Sequence, residues 1–144
     1  MSSLSDRPRF VLDTGALIQL ELGNEDVLEI LARAAEGTAQ VVIPRTVVAE
    51  VWRGGPRQAW LGAFLKLAGG GRDAGVTFDE LTPHRAAEIG RKIGSCGHDD
   101  IIAVNVALCA RRSETAPIDA IVVTTDRSGV LRVDPELKSA ILDI

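Results

Sequence analysis

The chain has no tyrosine, two tryptophans and three phenylalanines in 144 residues, too few for an aromatic platform that stacks successive RNA bases. Its two cysteines, Cys96 and Cys109, cannot make a disulfide framework and fit a reducing, cytoplasmic compartment. With only two histidines, no His/Cys cluster of the zinc-binding kind is present. The longest stretch free of charged side chains, Ile101 to Ala110, falls well short of the ~20 residues of a membrane span. Asp6, Arg7 and Arg9 open the chain with no apolar segment behind them, which predicts no secretory signal.

What remains is ordinary for a globular domain: 46% apolar and 25% charged residues. A chain of this size buries roughly 70% of its unfolded surface on folding. We expect one domain over residues 1–144, with residues 1–8 a loosely ordered lead-in. The net charge is −4, unevenly spread: residues 1–44 and 93–144 are acidic, whereas residues 45–92 are basic. A basic middle between acidic flanks suits a metal site beside a polyanion track, and arises by chance as well.

Apolar runs alternate between two periods. Phe10-Val11-Leu12, Val41-Val42-Ile43, Val76-Thr77-Phe78 and Ala120 to Val123 read as buried strands. Between them lie helical patterns: Gly15 to Glu21; Asn24 as N-cap of a helix through Glu36, with Val27, Leu28, Leu31, Ala34 and Ala35 at helical spacing; and Thr46 to Arg53. A further helix is expected from Pro56 to about Leu67, burying Trp60, Leu61, Phe64 and Leu65, before a Gly69-Gly70-Gly71 loop. Thr82-Pro83 starts a helix to Ile93, Gly94 to Gly97 forms a loop, and another helix runs from about Asp99 to Arg112. A short fifth strand is expected near Leu131 to Val133, with a helical segment after Pro135. Strands apolar on both faces, alternating with helices, predict a three-layer α/β/α domain around a mainly parallel sheet of four to five strands.

In such sheets the ligand site lies beyond the carboxyl ends of the strands. Acidic residues fall there repeatedly: Asp13 after the first strand, Asp126 after the fourth, Glu50 on the helix after the second, and Asp99-Asp100 opening a later helix. Each has a bland alternative as a helix cap, a turn former or a solvated helix face. Together they form a cluster of like charges that a fold retains when a cation compensates them. All-oxygen ligands suit Mg²⁺ or Mn²⁺, and such ions activate water and clamp phosphates.

Val11-Leu12-Asp13-Thr14-Gly15-Ala16-Leu17, Val48-Ala49-Glu50-Val51 after Pro44, Asp100-Ile101-Ile102-Ala103 with Val106-Ala107-Leu108, and Ile121-Val122-Val123-Thr124-Thr125-Asp126 occur in this order. The whole resembles a PIN domain, in particular the VapC-like toxin ribonucleases of toxin–antitoxin pairs. The resemblance covers nearly the full chain and implies a metal-dependent endoribonuclease with Asp13, Glu50, Asp100 and Asp126 as metal-binding, catalytic acids. The third acid is ambiguous. Counting back from Ala107-Leu108 selects Asp100, leaving Asp99 as the N-cap, while matching Ile102-Ala103 selects Asp99. Relatives often carry further acids where this chain has Ala103 and Ser128. Thr14 and Thr124 match pocket-lining positions. The resemblance also implies an RNA substrate, a homodimer and a VapB-like antitoxin.

Arg53 and Arg57, at i+3 and i+7 from Glu50, are candidate phosphate contacts if the helix runs through Gly54-Gly55-Pro56. Arg85, Arg91 and Lys92 read as a solvated helix face, Trp52 and Trp60 as core or interface, Cys96 as a loop thiol and Cys109 as a core residue. Two other functions compete: a catalytically inactive PIN-like scaffold that binds RNA or protein, and a receiver-like Asp/Mg²⁺ signalling module. The latter needs a lysine at a strand end, and none of Lys66, Lys92 or Lys138 follows a predicted strand.

Overall fold

The computed structural model describes residues 7–52 and 75–144. The described strands form one sheet: β1 (Arg9–Leu12), β2 (Gln40–Pro44), β3 (Val76–Asp79), β4 (Ile121–Thr124) and β5 (Ile141–Asp143). All neighbours pair in parallel, in the spatial order β3-β2-β1-β4-β5. A parallel sheet is covered on both faces by its crossovers, so both alternating sets of side chains must be apolar. Phe10, Val11 and Leu12 in β1, Val41 to Ile43 in β2, and Val122 and Val123 in β4 are all buried. The architecture is the three-layer α/β/α arrangement that the alternating pattern predicts.

The helices are α1 (Thr14–Glu21), α2 (Glu25–Ala35), α3 (Arg45–Val51), α4 (Pro83–Cys96), α5 (Ile101–Leu108) and α6 (Arg127–Val133), followed by a 3₁₀ turn (Pro135–Ser139). Asn24 caps α2 by accepting from the Asp26 and Val27 amides at 3.0 and 3.2 Å. Thr82 caps α4 through the Arg85 amide at 3.0 Å, with Pro83 at the first helical position. α1 lies against β1 and β4, and α2 against β2 and β3, while α4, α5 and α6 pack on one another.

Chain order fixes where a ligand site can lie. The path runs from β1 outward through β2 to β3, then returns past β1 to β4 and β5. Right-handed crossovers place the outward and return connections on opposite faces, so a crevice opens between β1 and β4 at their carboxyl ends. Leu12 pairs with Val123 there, which sets Asp13 beside Thr124.

Several local expectations are corrected. Leu131 to Val133 is helical, because Asp126 caps α6 and Gly129, Val130 and Val133 are buried at helical spacing. The fifth strand is instead Ile141–Asp143, pairing with β4. Gly94 to Cys96 continue α4, which stops only at Gly97 with φ +74°, so Cys96 ends a helix rather than lying in a loop. The Asp99 to Arg112 helix is shorter at both ends: it starts at Ile101, and beyond Leu108 the chain turns into a bridge between Arg111 and Ile118. Leu28 is exposed, the inward stripe of α2 being Val27, Ile30 and Ala34. Trp52 is exposed at the end of α3, which excludes the core but not the interface placement expected for it. Cys109 is buried, as expected. The helix and loop expected over Pro56 to Gly71, with Trp60, lie outside the described residues.

Candidate functional site

Asp13 leaves β1 and caps α1, its Oδ1 accepting from the Ala16 amide at 2.8 Å. Its Oδ2 accepts a hydrogen bond from the Thr124 hydroxyl. Thr124 Oγ1 in turn accepts from the Asp126 amide at 2.8 Å. Thr124 is fully buried, so its single hydroxyl proton is committed to Asp13. Asp126 caps α6, its Oδ1 accepting from the Gly129 amide at 3.1 Å and the Ser128 hydroxyl at 3.2 Å. The Asp13 carboxylate and the Asp126 backbone amide are thus joined through one hydroxyl at the crevice between β1 and β4.

Two glycines make this approach possible. A Cβ on Gly15 would overlap Thr125 Oγ1, and one on Gly129 would overlap Asp126 Oδ2. Neither was singled out from the sequence, although Asp-Thr-Gly and Asp-x-x-Gly carry the signal. The electrostatics are those of a crowded site. Burial pushes the Asp13 carboxyl above its ordinary value, the Thr124 and Ala16 hydrogen bonds pull it back down, and the charge of Asp126 raises it again.

The other candidates are placed as follows. Asp100, not Asp99, caps α5, its Oδ1 accepting from the Ile102 and Ala103 amides at 3.0 and 3.2 Å. This corrects the expectation that Asp99 is the N-cap: Asp100 satisfies the helix start with Oδ1. Asp99 is exposed just ahead of it, and Glu50 is half-buried on α3. Among the described residues, no group of three or more His, Cys, Asp or Glu side chains stands close enough to hold a metal ion. Glu50, Asp99 and Asp100 therefore do not complete a three-residue set with Asp13 and Asp126. Thr14 opens α1, and its hydroxyl is buried without a partner. Arg53 and Arg57 lie outside the described residues.

No protein-family model and no curated protein matches the chain. The fold itself is broadly consistent with a PIN-like domain: a small α/β/α unit with its strand-end acids at the β1–β4 crevice. Among the described residues of the basic middle, three arginines are paired with acids. Arg45 pairs with Glu80 at 2.8 Å while lying over the Phe78 ring, and Arg91 pairs with Glu114. Arg85, expected on a solvated face, is instead mostly buried between Asp79 at 3.2 Å and Glu88 at 3.6 Å. Among the described residues, no helix is long and apolar enough to cross a membrane.

One further polar residue escaped the sequence reading. Asn105 on α5 is fully buried in an otherwise apolar helix, donating through Nδ2 to Thr46 Oγ1 on α3 at 2.9 Å. An uncharged side chain inside Ile-Ile-Ala-Val-Asn-Val-Ala-Leu gives no periodic signal of its own.

Proposed function

We propose that the protein is a divalent-metal-dependent endoribonuclease of the PIN type, the toxin of a toxin–antitoxin pair. The observation that carries this proposal is the Asp13–Thr124–Asp126 linkage at the strand-order switch. It brings a half-buried carboxylate, Asp13, held above its ordinary value by burial and by the nearby charge of the exposed Asp126, to the place where open α/β sheets bind ligands.

The donor set suits the ion. Every candidate ligand is an oxygen, and Mg²⁺ commonly keeps several waters while binding one or two carboxylates together with substrate phosphate. Asp13 and Asp126 would form the core of the site, with Asp100 (or Asp99) and Glu50 engaging through water. When bound, a Mg²⁺ or Mn²⁺ ion supplies charge stabilisation and an activated water for phosphodiester hydrolysis. Thr124 holds Asp13 Oδ2 in one orientation, and the caps on α1 and α6 fix Oδ1 of Asp13 and of Asp126. These carboxylates therefore need little reorganisation on loading. Thr14, with its unpartnered hydroxyl, is a candidate donor to an RNA phosphate, and Arg53 and Arg57 are candidate phosphate contacts. A VapB-like antitoxin, a homodimer and a cytoplasmic setting belong to the same proposal.

One observation favours a second possibility. The absence of a three-carboxylate group among the described residues suits a PIN-like scaffold that binds RNA or protein without cutting it. RNA incubated with Mn²⁺, with EDTA, and with an Asp13→Asn variant separates the two. Cleavage only by the wild type with Mn²⁺ supports the nuclease, whereas equal RNA loss in every sample marks contamination and removes the support. A small open reading frame abutting the gene upstream is the corresponding expectation for the toxin role.

A further inference from the structure

The buried amide of Asn105 is only half satisfied. Nδ2 donates to Thr46 at 2.9 Å, yet Oδ1 is buried with no partner. Turning the amide over merely exchanges which half is orphaned. An unpaired buried amide oxygen destabilises the fold, and leucine, of nearly the same size, would remove that cost. A fold that keeps the amide in the most apolar of its helices keeps it for the bond it makes.

That bond joins two elements of the proposed site. Thr46 is the second residue of α3, and Glu50 lies four residues on, one turn along the same face. Asn105 sits in α5, the helix that Asp100 caps. Apolar contacts such as those of Val47 and Val104 can slide by fractions of an ångström, whereas a directional hydrogen bond sets register.

We propose that Asn105 is a positioning residue: by clasping Thr46 it fixes the helix carrying Glu50 against the helix capped by Asp100. It thereby sets the width of the acidic mouth. This inference rests on the proposed nuclease function, whose acids it positions.

The test uses the full-length protein and four variants: Asn105→Leu, Thr46→Val, their double combination, and Thr46→Ser. Measured for each are the melting temperature in EDTA, its rise with Mn²⁺, the Mn²⁺ concentration for half-maximal RNA cleavage, and kcat and KM. Because an ångström of misplacement costs up to about a hundredfold, Thr46→Val and the double variant should lose about tenfold or more in kcat. They should also need about tenfold more Mn²⁺, with KM for RNA unchanged; in EDTA the double variant should melt close to wild type and Thr46→Val below it, because Asn105 Nδ2 is then left without a partner. Thr46→Ser, which keeps the hydroxyl, should restore both. Should Asn105→Leu fail to fold, the Val and Ser variants at position 46 decide the matter. Folded variants with wild-type kcat and wild-type Mn²⁺ requirement overturn the inference while leaving the nuclease standing. A wild type that neither gains stability with Mn²⁺ nor cuts RNA overturns both.

Discussion

Replacing Asp13 with Asn separates the charge of that residue from its structural work. The amide oxygen can still accept from the Ala16 amide, so the cap on α1 survives. What disappears is a carboxylate raised above its ordinary value by burial and by Asp126, despite the help of Thr124. A raised carboxyl pKa means that the folded state binds the proton more tightly than the unfolded chain. Stability is therefore lost as pH rises from the unfolded value of 3.8 through the folded one. Relative to wild type, Asp13→Asn should therefore gain in melting temperature in EDTA as pH climbs through that window, offset at every pH by the Thr124 hydroxyl proton, which loses its acceptor where the Asn amide nitrogen replaces Oδ2. Below pH 3.8 the pH-dependent gain should be absent. Divalent metal acts the other way. A ligand at a hundred times its Kd adds about 2.7 kcal/mol to the form that binds it. For 144 residues, with an unfolding entropy of about 0.3 kcal/mol/K, that is a rise of about 9 °C. Wild type should show it and Asp13→Asn should not. Scanning calorimetry in EDTA below pH 3.8 and at pH 7.5, and in Mn²⁺ at pH 7.5, measures both differences. An Asp13→Asn protein whose melting relative to wild type does not rise between the two pH values, or that gains as much from Mn²⁺, refutes this account of the site.

Three other outcomes follow from the same geometry. Thr124→Val should lower cleavage at least tenfold by freeing Asp13 Oδ2 and leaving the Asp126 amide unpaired, while Thr124→Ser should retain most of it; paired kinetics and melting curves check this. Gly129→Ala should cost about 1–3 kcal/mol, the scale of overpacking, because the new methyl overlaps Asp126 Oδ2; an unchanged denaturation midpoint would contradict it. Burial, reinforced by Asp79, pushes the Cys109 thiol up to about 12, so alkylation of the folded protein at pH 8 should label Cys96 and spare Cys109. Mass spectrometry after brief labelling reads this directly. Because the unfolded thiol ionises near 9.0, stability should also decline as pH rises above that value.

The parallel sheet was legible in the sequence because β1, β2 and β4 must be apolar on both faces, and Val41-Val42-Ile43 shows that without alternation. The helix starts at Asn24 and Thr82 were legible because a capping side chain precedes an amphipathic run. Leu131 to Val133 misled because three residues, two of them apolar, fit either period. What decided the outcome was Asp126 folding back onto the Gly129 amide, a contact across a turn. At the site, Asp13 and Asp126 stood out as acids at strand ends, but their link through Thr124 did not, since it spans 111 positions. Which of Asp99 and Asp100 caps the helix turned on which carboxylate reaches the Ile102 and Ala103 amides, a local geometry that spacing does not encode.

Asp13, Asp100 and Asp126 each close the first turn of a helix with one carboxylate oxygen. The second oxygens of Asp100 and Asp126, and the remaining lone pair of Asp13 Oδ2 beside the Thr124 hydroxyl, are left over for chemistry. Erasing any of them with alanine would cost about 1 kcal/mol in helix starts, whether or not an active enzyme is under selection. Under the proposed function, a descendant that lost the nuclease activity should consequently drift to asparagine, serine or threonine at these three places. Its silence would be hard to see in an alignment scored only for polar character.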